Sequence, residues 1–225
     1  MAGLEKTNNY YMLTPKAPIA QEGIPFILYT AFLTMVSALL GLTWTTVLLL
    51  VVTSFVTMFF RDPERFIPDV PNAVVSPADG KVILADQVSD SRFSDVDMVK
   101  ISIFMNVFNV HVNRSPIKGV VTGVNHVPGK FLAADHQNAH LKNEYCAVTV
   151  KDEAGRSIIF VQIAGLVARR IVCWLEKGDL IGRGERFGLI RFGSRVDIYL
   201  PKDAVLQVQV GSKVRAGESI LAELN

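Results

Sequence analysis

The sequence predicts a mainly β domain, α+β in class and of barrel or sandwich type, preceded by a hydrophobic helical hairpin. Two observations carry this. Residues 24–60 form a run of 37 without a charged side chain. Beyond a proline-rich boundary the chain changes to short apolar alternations punctuated by glycine, which continue to the C-terminus.

The uncharged run is too long for one membrane span, since about 20 helical residues cross the hydrocarbon layer. Gly41, Leu42 and Thr43 lie at its midpoint. Two short helices over 24–40 and 44–60 are therefore expected, with Trp44 near the turn. The run is about twice the length of a signal-peptide core and no small-residue cleavage site closes it, which disfavours a signal peptide. A hairpin returns to its starting side, so residues 1–23 and everything after Phe60 share one face of the membrane. Lys6 and Lys16 before it, with Arg61 and Arg65 after it, point to the cytoplasmic side of the cell (inner) membrane. The residues leave open whether the hairpin crosses fully or dips.

The boundary is FFRDPERFIPDVP, residues 59–71, where three prolines and mixed charges stop the helix. The domain of residues 61–225 follows. Strands are expected at 73–76, 81–85, 97–107, 119–126, 145–151, 157–163, 187–191, 195–200, 205–210 and 219–223, with KDEAGR (151–156) as a hairpin turn. Helices are expected only at 165–177 and 131–142. The C-terminal VQVGSKVRAGESILAEL, 208–224, has the strand, glycine turn and Ala-Gly-Glu spacing of lipoyl-like hybrid barrels.

Composition excludes little. At 225 residues and net charge +2, one sizeable core is possible, and no nucleic-acid partner is expected. Cys146 and Cys173 give neither a disulfide framework nor metal-ligand spacing, and read as buried thiols in a reducing compartment. His136 and His140 have helical i, i+4 spacing but no acidic or thiol companion, so no metal is expected. GRGERFG, 182–188, lacks the glycine spacing and following helix of a phosphate loop, and its glycines read as turns. Seven basic residues from Arg169 to Arg195 against three acids form a solvated face. Beside a membrane anchor they would also draw the domain to anionic headgroups, at about 1 kcal/mol per residue near the surface.

Three places can carry chemistry. Ser194 follows Gly193 at a strand entrance in RFGSRVD, with Val196, Ile198 and Leu200 on one face and Arg195, Asp197 and Tyr199 on the other. A serine there suits attack on a carbonyl, including that of its own preceding peptide. SPADGKV, 76–82, is a turn in which Asp79 precedes Gly80, and the plain reading is an aspartate bonding its own backbone. In FMNVFNVHVNRSP, 104–116, the apolar alternation changes phase near Phe108 and Asn109. A bulge would do this, and it would put His111 on a face with Asn109 and Asn113, opposite the apolar one.

In order along the chain, FFRDPER, SPADGKV, HVNRSP, GKFLAADHQNAHLKNE, ARRIVCW and GERFGLIRFGSRVDIYLP resemble the short prokaryotic form of phosphatidylserine decarboxylase, from Phe59 to Leu200. The resemblance implies a self-processing lyase. Its family roles fall on Asp79, His111 and the Gly193-Ser194 cleavage pair, with His111 as base, Asp79 holding its imidazole, and Ser194 as nucleophile. Cleavage would give chains 1–193 and 194–225 as a heterodimer, with Ser194 converted to a covalent pyruvoyl cofactor that forms a Schiff base with phosphatidylserine in the membrane. The resemblance leaves a homodimer open. In many longer members the cleavage motif is Leu-Gly-Ser-Thr and the histidine belongs to a His-x-x-His pair. Here Phe192 and Arg195 flank Gly193-Ser194, and Phe108 stands in the first histidine's place. Two other readings use the same residues: a membrane-anchored lipoyl-like adaptor, which lacks a coiled-coil insertion or carrier lysine, and a serine hydrolase using Ser194, His111 and Asp79, which lacks a nucleophile-elbow pattern.

Overall fold

The computed structural model describes residues 18–129, 143–165, 170–191 and 194–225. The helix expected at 131–142, with His136 and His140, lies outside the described residues, as does Gly193.

The uncharged run folds as two antiparallel helices, α1 (Ile24–Leu39) and α2 (Thr43–Phe59), after a single 3-10 turn at Gln21–Gly23. Pro25 sits in the first turn of α1, where its missing N–H costs nothing. Gly41 adopts φ 70°, the left-handed conformation the tight turn needs. Between the helices Ser37 Oγ meets Thr46 Oγ1 at 2.9 Å and Thr34 Oγ1 meets Thr53 Oγ1 at 3.1 Å. Other hydroxyls, such as those of Ser54 and Thr57, donate to carbonyls one turn back. The hairpin thus satisfies these hydroxyls internally and turns Leu28, Phe32, Leu39, Trp44 and Leu48 outward.

Its root is bound into the β domain. Ala20 N–H donates to the Phe60 carbonyl (2.8 Å) and Asp62 N–H to that of Pro18 (2.7 Å). Phe59 and Phe60 are buried with Val110, Val112 and Leu189.

Among the described residues, fourteen strands make three antiparallel sheets. The largest uses β2 (Gly80–Val88), β3 (Met98–Met105), β5 (Gly119–Val127), β6 (Tyr145–Lys151), β7 (Ser157–Ala164), β9 (Leu180–Ile181), β11 (Ser194–Leu200) and β13 (Lys213–Val214). Its order is β13-β2-β3-β11-β7-β6-β5-β9. A second joins β1 (Ala73–Val75), β14 (Ile220–Glu223) and β12 (Val205–Leu206), and a third joins β4 (Val112–Arg114), β10 (Arg186–Ile190) and β8 (Ile171–Cys173). One core fills the space between them. It takes Val82, Ile101, Ile103, Phe160, Val196 and Ile198 from the large sheet, with Phe187 and Leu221 from the small ones.

Strand β11 is central, paired with β3 on one side and β7 on the other. Val196, Ile198 and Leu200 face the core as expected, but the polar face is buried too. There Asp197 accepts from Arg195 and pairs with Lys100 Nζ at 3.0 Å. Burial alone would raise the Asp197 pKa; the two cations outweigh it and hold the carboxyl below its ordinary value.

The helix expected at 165–177 is not formed at its described positions. Ile171, Val172 and Cys173 instead pair with Ile190, Leu189 and Gly188, and Trp174 N–H extends the ladder to the Phe187 carbonyl. β-branched residues beside an open strand edge are better placed there than on a helix. Nor is the phase change near Phe108 a bulge. β3 ends at Met105, and Asn106 and Asn109 side chains cap a turn by accepting from the Phe108 and Asn106 N–H groups (both 2.9 Å), after which β4 joins another sheet. Cys173 is half-buried, unlike Cys146, and both thiols are free.

Candidate active site

Ser194 is the first residue of β11 and is wholly buried, opposite Met105 and Ala164. Its Oγ donates to Met105 Sδ at 3.4 Å, a weak acceptor. Four residues before it, Ile190 ends β10 with its N–H on the His111 carbonyl at 3.4 Å. Ile190 thus stands in one small sheet beside His111, and Ser194 in the large sheet beside Met105. This is how the fold brings the serine and histidine segments together.

His111 is also wholly buried, with its ring 4.2 Å from that of Phe59. Its Nδ1 lies 2.9 Å from the Asn109 carbonyl oxygen. A carbonyl can only accept, so in the neutral ring the proton sits on Nδ1 and the lone pair on Nε2. Nε2 is buried with no partner among the described residues. Burial pushes the imidazole pKa down to about 4, the Asn109 bond opposes this, and the Arg61 charge adds to it. The ring is thus an unprotonated base at neutral pH, with its basic nitrogen unoccupied.

Asp79 follows the first small strand and directly precedes β2. Its carboxylate receives Arg65 Nη2 at 2.9 and 3.1 Å and the Ala216 N–H at 2.8 Å. The local turn is closed by Ser76 instead, which bonds both N–H and C=O of Ala78. The expected contact between Asp79 and His111 is not present: the carboxylate is committed to Arg65 and Ala216, and the carbonyl of Asn109 takes the place assigned to it on Nδ1. Nor is a Ser194–His111 hydrogen bond formed. Strand β3 lies between β2 and β11, which puts about two strand spacings, on the order of 10 Å, between the backbones of Asp79 and Ser194. Asp79→Asn should destabilise the protein by about 3 kcal/mol, because it leaves Arg65 almost buried beside Glu218 alone. Denaturant titration of the variant tests this; a loss under about 1 kcal/mol contradicts it.

Phe108 is exposed and meets Phe55 of α2 edge-on at 6.5 Å. Its carbonyl accepts from Arg61 at 2.6 Å. The turn bearing His111 is thereby tied to the hairpin.

The basic surplus of 169–195 does not form one solvated face. Arg183 donates to the carbonyls of Pro68, Val70 and Ala73, Arg186 pairs with Asp62 and Glu64, and Arg195 with Asp197. Arg169 lies outside the described residues. Lys177 is exposed, and Arg170 and Arg191 lie at the hairpin root.

Comparison with known proteins finds matches over nearly the whole chain. The phosphatidylserine decarboxylase family model matches residues 52–222. The chain is 54% identical over 213 residues to the phosphatidylserine decarboxylase proenzyme of Desulfotalea psychrophila, covering 95% of this chain and 100% of that protein. Proteins of the same name from Geotalea uraniireducens (49% over 213 residues) and Ralstonia nicotianae (48% over 219 residues) are likewise matched over their full length, with 95% and 97% of this chain covered.

Proposed function

Because the chain belongs to the phosphatidylserine decarboxylase family, we propose that it converts phosphatidylserine to phosphatidylethanolamine and carbon dioxide, using a pyruvoyl group made from its own Ser194. The observation that carries the self-processing step is the buried His111 ring, fixed through Nδ1 and presenting an unoccupied Nε2 beside the segment that bears Ser194.

In maturation, Ser194 Oγ adds to the Gly193 carbonyl while its proton passes to His111 Nε2. Collapse with return of that proton to the leaving amide nitrogen turns the peptide into an ester. Loss of the Ser194 Cα proton then expels the Gly193 carboxylate and leaves dehydroalanine, and one water hydrolyses its enamine to the ketone with release of ammonia. Two chains result, 1–193 and 194–225, held as a heterodimer. The surroundings suit this: among the described residues the hydroxyl is bound only by a thioether, so no strong acceptor there must be broken to turn it.

A pyruvoyl group, once formed, supplies a ketone that captures the substrate amine and an electron sink for the departing carboxylate. His111 then holds or delivers a proton, and Phe59 and Phe60 keep the site dry from the membrane side. Asp79 acts by fixing the start of β2 against Arg65 and Ala216.

The hairpin brings this site to its lipid from the cytoplasmic side. At 16 and 17 residues its helices are about 24–26 Å long, short of the ~30 Å hydrocarbon thickness, and the uncharged tip around Leu39, Leu42 and Trp44 ends within the bilayer. Brominated lipids should quench Trp44 most strongly when the bromines lie deep in the acyl chains; quenching confined to headgroup-level probes excludes insertion. For the chemistry, intact mass of the purified protein should show a 32-residue fragment, with phosphatidylethanolamine formed from added phosphatidylserine. Turnover by a single unbroken chain overturns the reading.

A further inference from the structure

We propose that Arg191 and Arg170 form the subsite that binds the phosphodiester of the substrate headgroup. This rests on the decarboxylase reading above and adds the residues that grip the lipid. Antiparallel pairing of Ile190 with Ile171 sets Arg191 opposite Arg170, and the ladder continues there with Arg191 N–H on the Arg170 carbonyl at 3.3 Å. Like charges directly opposite across a ladder repel, and a fold that places them so is suited to an anion between them. Neither guanidinium has a carboxylate within 4 Å among the described residues.

Two further features make this a site. Arg191 Nε is buried with no hydrogen-bond acceptor among the described residues, a desolvated donor of the kind that costs stability until an anion fills it. The Arg191 guanidinium also stacks over the Phe26 ring of α1 at 5.1 Å, which fixes its plane at the hairpin root. Phe26 stacks on Phe60, Phe60 meets Phe59, and Phe59 meets His111. Arg191 is also three residues from Ser194. A lipid whose phosphate rests on Arg191 therefore has its serine end directed at the reacting position and its chains beside the hairpin. One acid is near: Glu22 receives Trp174 Nε1 at 2.9 Å through Oε1, and its other oxygen is buried without a partner. Its charge favours the Arg191 cation, while burial and Arg170 act the other way.

The test uses the full chain in neutral-detergent mixed micelles. Arg170→Gln and Arg191→Gln should each still yield the 32-residue fragment. Each should raise the KM for phosphatidylserine about tenfold with kcat within about twofold, as loss of a charge-assisted phosphate bond predicts. Lysine at either position should recover part of the loss. Glycerophosphate should inhibit the parent protein competitively and the variants less. Arg170→Gln lies away from the junction and decides the matter if Arg191→Gln blocks cleavage. An unchanged KM in Arg170→Gln overturns the subsite, as does a KM defect that appears only when phosphatidylglycerol is added, which marks general attraction to an anionic surface. Restoration of KM in Glu22→Gln/Arg191→Gln also overturns it, by making Arg191 a mere counter-ion. Failure of the parent protein to cleave or to turn over is a separate result and refutes the decarboxylase reading itself.

Discussion

Ser194→Ala should run as one 225-residue chain and show no decarboxylation above background. The methyl group fills a slot already wholly buried between Met105 and Ala164, so folding is kept while the only atom able to attack the Gly193 carbonyl is gone. Loss of a nucleophile whose product is also the cofactor removes both activities together. Ser194→Cys separates them in time: the thiol can add to the carbonyl, and elimination of the thiocarboxylate leads to the same ketone. Cleavage is expected at a different rate and to the same 32-residue fragment, with the long chain first ending in a thiocarboxylate that water converts to the carboxylate with release of hydrogen sulfide. A Ser194→Ala preparation containing the 32-residue piece would show that the serine is not the attacking group.

His111→Ala should slow cleavage by about 10²–10⁴-fold, the usual worth of a positioned general base. The precursor would accumulate, and its decay is followed by denaturing electrophoresis. The parent ring also sets the pH dependence. With its folded pKa lowered to about 4, mainly by burial, it stays neutral well below the point at which a free imidazole charges. Cleavage should be level from neutral pH to about 5.5 and fall about tenfold per unit once the pH is below about 4. The sign for stability is the same. Between about 6.5 and about 4 the unfolded chain binds a proton that the folded chain does not, so stability is full above that window and declines as pH falls through it, by about 3 kcal/mol in all. A cleavage profile breaking near pH 6.5 would mean that Nε2 is solvated or that another group is the base.

Much of the frame was legible in the chain because long periodic stretches announce themselves. The hairpin and the ladders around β11 follow from an uncharged run and from period-two alternation, and both were expected within a residue or two at most of their ends. What was illegible is short or remote. β4, β8, β9 and β13 have only two or three residues, too few for a period, and β8 exists because β10 offers it an edge. The candidate site divides in the same way. The serine and histidine were marked by local pattern, whereas Arg65 for Asp79 and the Asn109 carbonyl for His111 were not, since a main-chain acceptor carries no residue signature. Arg170 and Arg191 were hidden among seven basic residues until Arg183, Arg186 and Arg195 proved to be paired elsewhere.

Strand β11 is clasped along its length by β3 and β7, and the residues after it supply β12, β13 and β14 to two different sheets. Severing the peptide before Ser194 would take the nitrogen of residue 194 with it, yet leave the pairing from Arg195 onward with both neighbouring strands untouched. The short product would stay woven into the long one, and the newly exposed chain end would inherit its aim from main-chain pairing that owes nothing to the bond just lost.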